Sequence, residues 1–254
     1  MPSESREIDV DVALIDIDGT ITIPMRETDF AVSPLEHLLR MVMQRDSIPP
    51  AEALAKVQQA GDIETSCAFS FLAPLGLSRQ AYWDALQQDI KGGIIIADDA
   101  VFFIKSLRNK HIRLFSATTN SRMATLVKLS VADLGGIDGA PYFDGFFGGD
   151  SFHDPRGKWS PDFFPSILKA GGFNPKRTLM VGDNLEQDML PALRAGIKTV
   201  AIINRQQQEK LLCKDGVLFI NSLEVLYHML KPASEAGRPA EIDGACSSLI
   251  RCPK

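Results

Sequence analysis

The chain has 254 residues, 45% of them hydrophobic and 23% charged, with a formal net charge of −5; that length allows a full core and a second, smaller unit beside it. The acidic balance, without a basic stripe, argues against a nucleic-acid partner, no run approaches the ~18 apolar residues of a membrane helix, and Met1 to Asp9 is too polar for a secretory signal. Four cysteines (Cys67, Cys213, Cys246, Cys252) and four histidines lack ligand spacing, which points away from zinc and disulfides and towards a reducing, cytoplasmic setting.

The first element, from Ile8, starts as an alternation and becomes the continuous apolar run Val12-Ala13-Leu14-Ile15. Such a run suits a strand buried on both faces of a parallel sheet. It ends at Asp16-Ile17-Asp18-Gly19-Thr20, where glycine permits a sharp exit. Helical periods follow over 35–43 (opened by Ser33-Pro34), 50–60 (stopped by Gly61) and 78–91 (ended by Gly92-Gly93). No strand is expected between 34 and 91, so the stretch reads as a helical module inserted in something else. Beyond residue 98, helices over 99–110, 122–134, 161–170, 187–195 and 223–230 alternate with strands over 112–117, 142–147, 178–181, 199–203 and 218–220. That alternation indicates right-handed βαβ units, hence an α/β fold with a doubly wound parallel sheet. Residues 231–254, rich in proline and glycine, read as a flexible tail.

Four segments fall just past strand ends, where a parallel sheet places its chemistry. In Asp16-Ile17-Asp18-Gly19-Thr20 the two carboxylates, two residues apart in extended backbone, project to one side; alone, this is equally a solvated turn. Phe115-Ser116-Ala117-Thr118-Thr119-Asn120 ends a strand in hydroxyls ahead of a helix, as an anion site or an ordinary cap would. Gly157-Lys158-Trp159-Ser160-Pro161 puts a lysine before a proline-opened helix, and it is not a Walker-type loop. Gly182-Asp183-Asn184 with Asp188 has the composition of a helix N-cap. Each bland reading is acceptable singly; all four in this order are not.

Together these segments resemble the haloacid dehalogenase superfamily, in its phosphatase branch, over about residues 11–230. The resemblance implies a Rossmann-like α/β core over 1–23 and 98–232. It also implies a small all-α cap over 24–97, between the first and second motifs, and a tail over 233–254. It makes Asp16 the nucleophile that forms an aspartyl phosphate and Asp18 the general acid and then base. Dehalogenase relatives carry an aromatic at the second position and transport ATPases a lysine, so Asp18 points to phosphate transfer. Thr118 matches the phosphate-binding hydroxyl, although Thr119-Asn120 fits the usual Thr-Asn pair, and the one-residue shift stays open. Lys158 would neutralise the phosphoryl oxygens. Asp183, Asp16 and the backbone carbonyl of Asp18 would hold magnesium, and Asp188 would support Lys158 or a metal-bound water.

Four carboxylates with only Lys158 to oppose them require a further cation, because like charges ~4 Å apart at an effective dielectric of ~20 cost about 4 kcal/mol each. All-oxygen ligation favours Mg2+ over zinc. The expected activity is a magnesium-dependent phosphomonoesterase acting on a small phosphate ester that is phosphoglycolate-, sugar-phosphate- or nucleotide-like. Arg26, His37, Arg40 and Arg45 are candidate cap contacts for an anionic substrate, and Gly92-Gly93 serves as a hinge or a helix stop. The alternatives are a phosphomutase of the β-phosphoglucomutase type and a non-catalytic phospholigand-binding protein.

Overall fold

The computed structural model describes residues 7–231, apart from 64, 65, 67, 153 and 155. Strand β1 (Val12–Ile15) is buried along its whole length. Its side chains alternate between two cores: Val12 and Leu14 pack into one, Ala13 and Ile15 into the other. Both faces of the strand therefore need apolar residues, which is why the sequence reads as an unbroken run rather than an alternation. The strands β4 (Arg113–Ala117), β5 (Gly145–Phe147), β6 (Thr178–Gly182), β7 (Thr199–Ile203) and β9 (Val217–Ile220) lie parallel to it. The sheet order is β5-β4-β1-β6-β7-β9-β8. β8 (Leu211–Lys214), which the periodicity reading leaves out, closes the edge antiparallel to β9. It is exposed throughout, carries Cys213, and has no buried face to leave a pattern.

The register positions the site. Ile15 pairs with Ser116 of β4 on one side and Val181 of β6 on the other. Asp16, the residues after Ala117 and the residues after Gly182 therefore leave three adjacent strands at one level. Neighbouring strands lie ~4.8 Å apart, so these exits are within side-chain reach of one another. β1 is also where the chain changes direction across the sheet, the usual position of a ligand crevice in open α/β folds.

Helices α5 (Asp98–Ser106), α6 (Arg122–Leu129), α7 (Phe163–Gly171), α8 (Leu190–Arg194) and α9 (Leu223–Met229) flank the sheet. They are shorter than the periodicity predicts; 107–110 and 130–132 tighten into 3-10 turns. The helix expected over 187–195 begins earlier, as a π-turn over Leu185–Met189 that runs into α8.

Between β2 (Thr22–Pro24) and β3 (Ile94–Ile96), paired antiparallel, lie α1 (Pro34–Asp46), α2 (Pro50–Ala60), α3 (Phe69–Leu72) and α4 (Arg79–Ile90). Ser33 and Ser78 cap α1 and α4 by accepting from Glu36 N and Ala81 N. Leu38, Val42, Val57, Tyr82 and Leu86 are buried within the insert and are continuous with the core on one face of the sheet. The four-residue α3 and the three-residue strands are too short to show a period. The tail expected from 231 onward falls, from 232, outside the described residues.

Candidate active site

At the exit of β1 the Asp16 amide donates to the Val181 carbonyl at 2.9 Å, fixing the aspartate against β6. Its carboxylate meets Lys158, which comes from the turn Gly157–Trp159 ahead of α7. The ammonium lies 2.5 Å from Asp16 Oδ1 and 2.6 Å from Asp188 Oδ1. Lys158 is 4% exposed, so the lysine read as a loop residue is an interior group. Asp188 is fully buried and accepts from the Asn184 amide at 3.1 Å, while the Asn184 side chain caps the π-turn. π-Turns displace a side chain from its helical position and recur at functional sites. Here the turn aims Asp188 back at the strand ends.

Two glycines allow the close approach. Gly19 adopts φ +72°, and a Cβ there would meet Asp183 Oδ2 at 2.0 Å. A Cβ at Gly182 would meet Asp188 Oδ2 at 2.2 Å. Any side chain at either position would displace a carboxylate of the cluster.

Oxygen atoms of Asp16, Asp183 and Asp188 lie within 4.8 Å of one another. Burial raises the Asp16 pKa to about 6: Lys158 pulls it down, but desolvation and then Asp188 push harder. Asp183 is raised by burial and the Asp16 charge, and Asp188 by burial, which outweighs its bond to Lys158. Lys158 is raised, since its two carboxylates overcome the desolvation that would lower it. Three carboxylates held up in pKa around a single ammonium form a site short of positive charge. An all-oxygen donor set of this spacing fits a hard divalent cation.

Asp18 is arranged differently from expectation. Its carboxylate turns away from the triad to a second buried lysine, Lys128 of α6, at 2.6 Å. Asn120 Nδ2 donates to its other oxygen at 2.7 Å. Lys128 also bridges to Asp29, in the segment leading into α1, at 2.5 Å and donates to Asn120 Oδ1 at 3.0 Å. Burial alone would raise the Asp18 pKa; Lys128 and Asn120 reverse that and hold it below the usual range. The expectation of Lys158 as the sole opposing cation is corrected here. Lys128 lies in a run, Met123 to Leu129, buried at every position. The sequence reading does not single out Lys128; a lysine among Met123, Ala124, Leu126, Val127 and Leu129 was the available signal.

Of the two threonines at the β4 exit, Thr118 is buried and its hydroxyl accepts from Asn120 N (3.2 Å) and Nδ2 (2.9 Å). Thr119 is exposed and faces the insert. The loop Asp18-Gly19-Thr20 is braced by Arg205, just past β7, which donates to the Thr20 carbonyl at 2.8 Å and pairs with Asp99 at 2.9 Å. Among the candidate anion contacts, Arg26 ties together the two links to the insert, donating to the Asp29 and Asp89 carbonyls at 2.7 and 2.9 Å. His37 faces Asp89, Arg40 pairs with Glu36 and Arg45 with Asp46.

Comparison with known proteins gives the family and the fold. The model of the haloacid dehalogenase-like hydrolase family matches residues 10–196. N-acylneuraminate-9-phosphatase of Homo sapiens is 25% identical over 177 residues, covering 62% of this chain and 65% of that protein. The Mus musculus protein of the same name is 28% identical over 149 residues, covering 50% and 56%. The chain thus spans under two thirds of the length of these curated relatives. Among solved structures, the HAD-hydrolase YfnB from Bacillus subtilis, bound to magnesium, aligns over 87% of this chain and 98% of its own. Its TM-score is 0.50 at 19% identity, a likeness of fold.

Proposed function

The chain belongs to the haloacid dehalogenase-like hydrolase family, and on that premise we propose that it is a magnesium-dependent phosphomonoesterase working through an aspartyl phosphate. The observation that carries the reading is the clustering of Asp16, Asp183 and Asp188, with oxygens within 4.8 Å, and the pairing of Asp16 and Asp188 with Lys158.

In this reading an Asp16 oxygen attacks phosphorus, the bond from phosphorus to the ester oxygen breaks, and the alcohol leaves with a proton from Asp18. Asp18 then takes a proton from water, the hydroxide attacks phosphorus, and the Asp16–phosphorus bond breaks to release inorganic phosphate. Lys158 neutralises Asp16 in the resting site and phosphoryl oxygens as charge moves onto them. Asp16, Asp183 and the Asp18 carbonyl would hold the cation, which supplies charge neutralisation to the phosphoryl group when bound. Ionised and tied to Lys128 and Asn120, Asp18 rests in the state of a base. To act as the acid it must first take up a proton, from solvent or from the substrate's phosphate monoanion, and release that pair before handing the proton to the ester oxygen. The Thr118 hydroxyl and the β4 exit amides are the phosphate-binding group, and Asp188 positions Lys158. The helices between β2 and β3 serve as the cap, with 24–97 as its extent.

The reading is tested by phosphate release from a panel of phosphate monoesters with magnesium. Turnover is expected with at least one ester and is expected to vanish in Asp16→Asn while the fold persists. Full activity in Asp16→Asn would remove the nucleophile assignment, and an isomerised sugar phosphate without free phosphate would replace the hydrolase by a mutase.

A further inference from the structure

Between the insert and the core lies a half-open cavity of about 230 Å³. Its floor is the β4 exit: Thr119 and Ser121 line it, and Asn120 between them holds Asp18. Its walls are Leu35 and Leu38 of α1, Val57 of α2, Phe71 of α3 and Met123 of α6. Among the described lining residues there is no lysine, arginine or histidine, and the one charged side chain is the acidic Asp150, whose carboxylate accepts from the Arg122 amide at 3.0 Å. The arginines of the insert that would suit an anionic group are engaged elsewhere: Arg26 with backbone carbonyls, Arg40 with Glu36, Arg45 with Asp46. His37 is absent from the described lining, its Nε2 lying 3.5 Å from Asp89. Lys158 and Lys128 each bridge two carboxylates.

A carboxylate or second phosphate entering such a cavity sheds water without gaining a counter-charge, and that is costly. An uncharged alcohol avoids the loss, and the apolar walls reward its carbon surface. The volume lies below the ~300–1,000 Å³ of pockets for drug-sized ligands, so the group is small.

We propose that the substrate's leaving group is a small uncharged alcohol with an apolar face, seated between α1 and the β4 exit, and that esters whose alcohol carries a carboxylate or second phosphate are discriminated against. This rests on the phosphomonoesterase reading above and deepens it by naming the alcohol class. It favours a neutral sugar or alkyl phosphate over a phosphoglycolate-like ester.

The test compares kcat/KM for pairs matched in size: glycerol 3-phosphate against 3-phosphoglycerate, and butyl phosphate against 3-carboxypropyl phosphate. The neutral member is expected to lead at least tenfold, and each methylene from ethyl to butyl phosphate is expected to add up to about fourfold. Leu35→Lys, which sets a cation on the half-buried wall, is expected to narrow the gap at least tenfold. Calorimetric binding of the same esters to Asp16→Asn should give the same ranking without turnover. Carboxylated esters bound and turned over as well as their neutral partners would overturn the proposal and leave the phosphatase reading intact. Were no ester hydrolysed at all, the phosphatase reading would fall, and the binding ranking would still decide the alcohol class.

Discussion

Replacing Lys158 by methionine keeps its apolar stem, one atom shorter, and removes the charge that Asp16 and Asp188 share. Both contacts are short, 2.5 and 2.6 Å, and the lysine is 4% exposed, so water cannot take its place. What remains is two buried carboxylates whose oxygens lie within 4.8 Å, a repulsion of about 3.5 kcal/mol at an effective dielectric of ~20. Breaking one partner out of a buried ionic group costs ~3–5 kcal/mol. The site has one relief, the uptake of a proton by Asp16 or Asp188, both already raised in pKa. Urea denaturation of the metal-free protein should therefore show a loss of ~3–5 kcal/mol at pH 7.5 and about half of that at pH 5. Adding Asp188→Asn to Lys158→Met should return part of the loss. A loss below ~1 kcal/mol at pH 7.5, or an equal loss at both pH values, would refute the view that one ammonium holds this cluster together.

Three further outcomes follow from the same geometry. Asp16 binds a proton more tightly folded, at about 6 against 3.8 ordinarily, so its contribution to stability falls as pH rises through that window, by about 3 kcal/mol in all and roughly half of that above pH 5. Wild type measured against Asp16→Asn should therefore lose stability between pH 5 and 7.5 without metal, and magnesium should raise its melting temperature more at pH 7.5 than at pH 5; the opposite slope would contradict the shift. Lys128→Met leaves Asp18 and Asp29 without their ammonium, but both are partly exposed, so the stability loss should be ~1–2 kcal/mol. Its kcat should fall more for alkyl phosphates than for p-nitrophenyl phosphate, whose leaving group needs no proton; an equal fall for both would make Lys128 merely structural. Gly19→Ala forces a Cβ against Asp183 at φ +72°, and should weaken magnesium binding at least tenfold at a stability cost of ~1–2 kcal/mol. Unchanged affinity by titration would separate Gly19 from the cation site.

The sequence by itself determined the α/β class, the parallel core strands and three of the four polar segments at their ends, because a doubly buried strand must be apolar throughout and its exit must be polar; the Lys158 segment lies in the turn before α7. Tertiary structure decided whatever depended on which strands are neighbours. Asp16 and Asp183 are far apart along the chain, and only the order β4-β1-β6 and the pairing of Ile15 with Val181 bring them level. Lys158 was marked for the site by its family resemblance, and only the turn before α7 shows that it packs beneath two carboxylates, Asp16 and Asp188. Lys128 was unreadable as a partner of Asp18, since nothing local marks a residue 110 positions away as its counter-charge. Short elements such as α3, β2, β3 and β8 left no period to detect, for their conformation is set by the neighbours they pair with. Local periodicity records which side of an element is buried; which charges meet across the crevice is a property of the folded sheet alone.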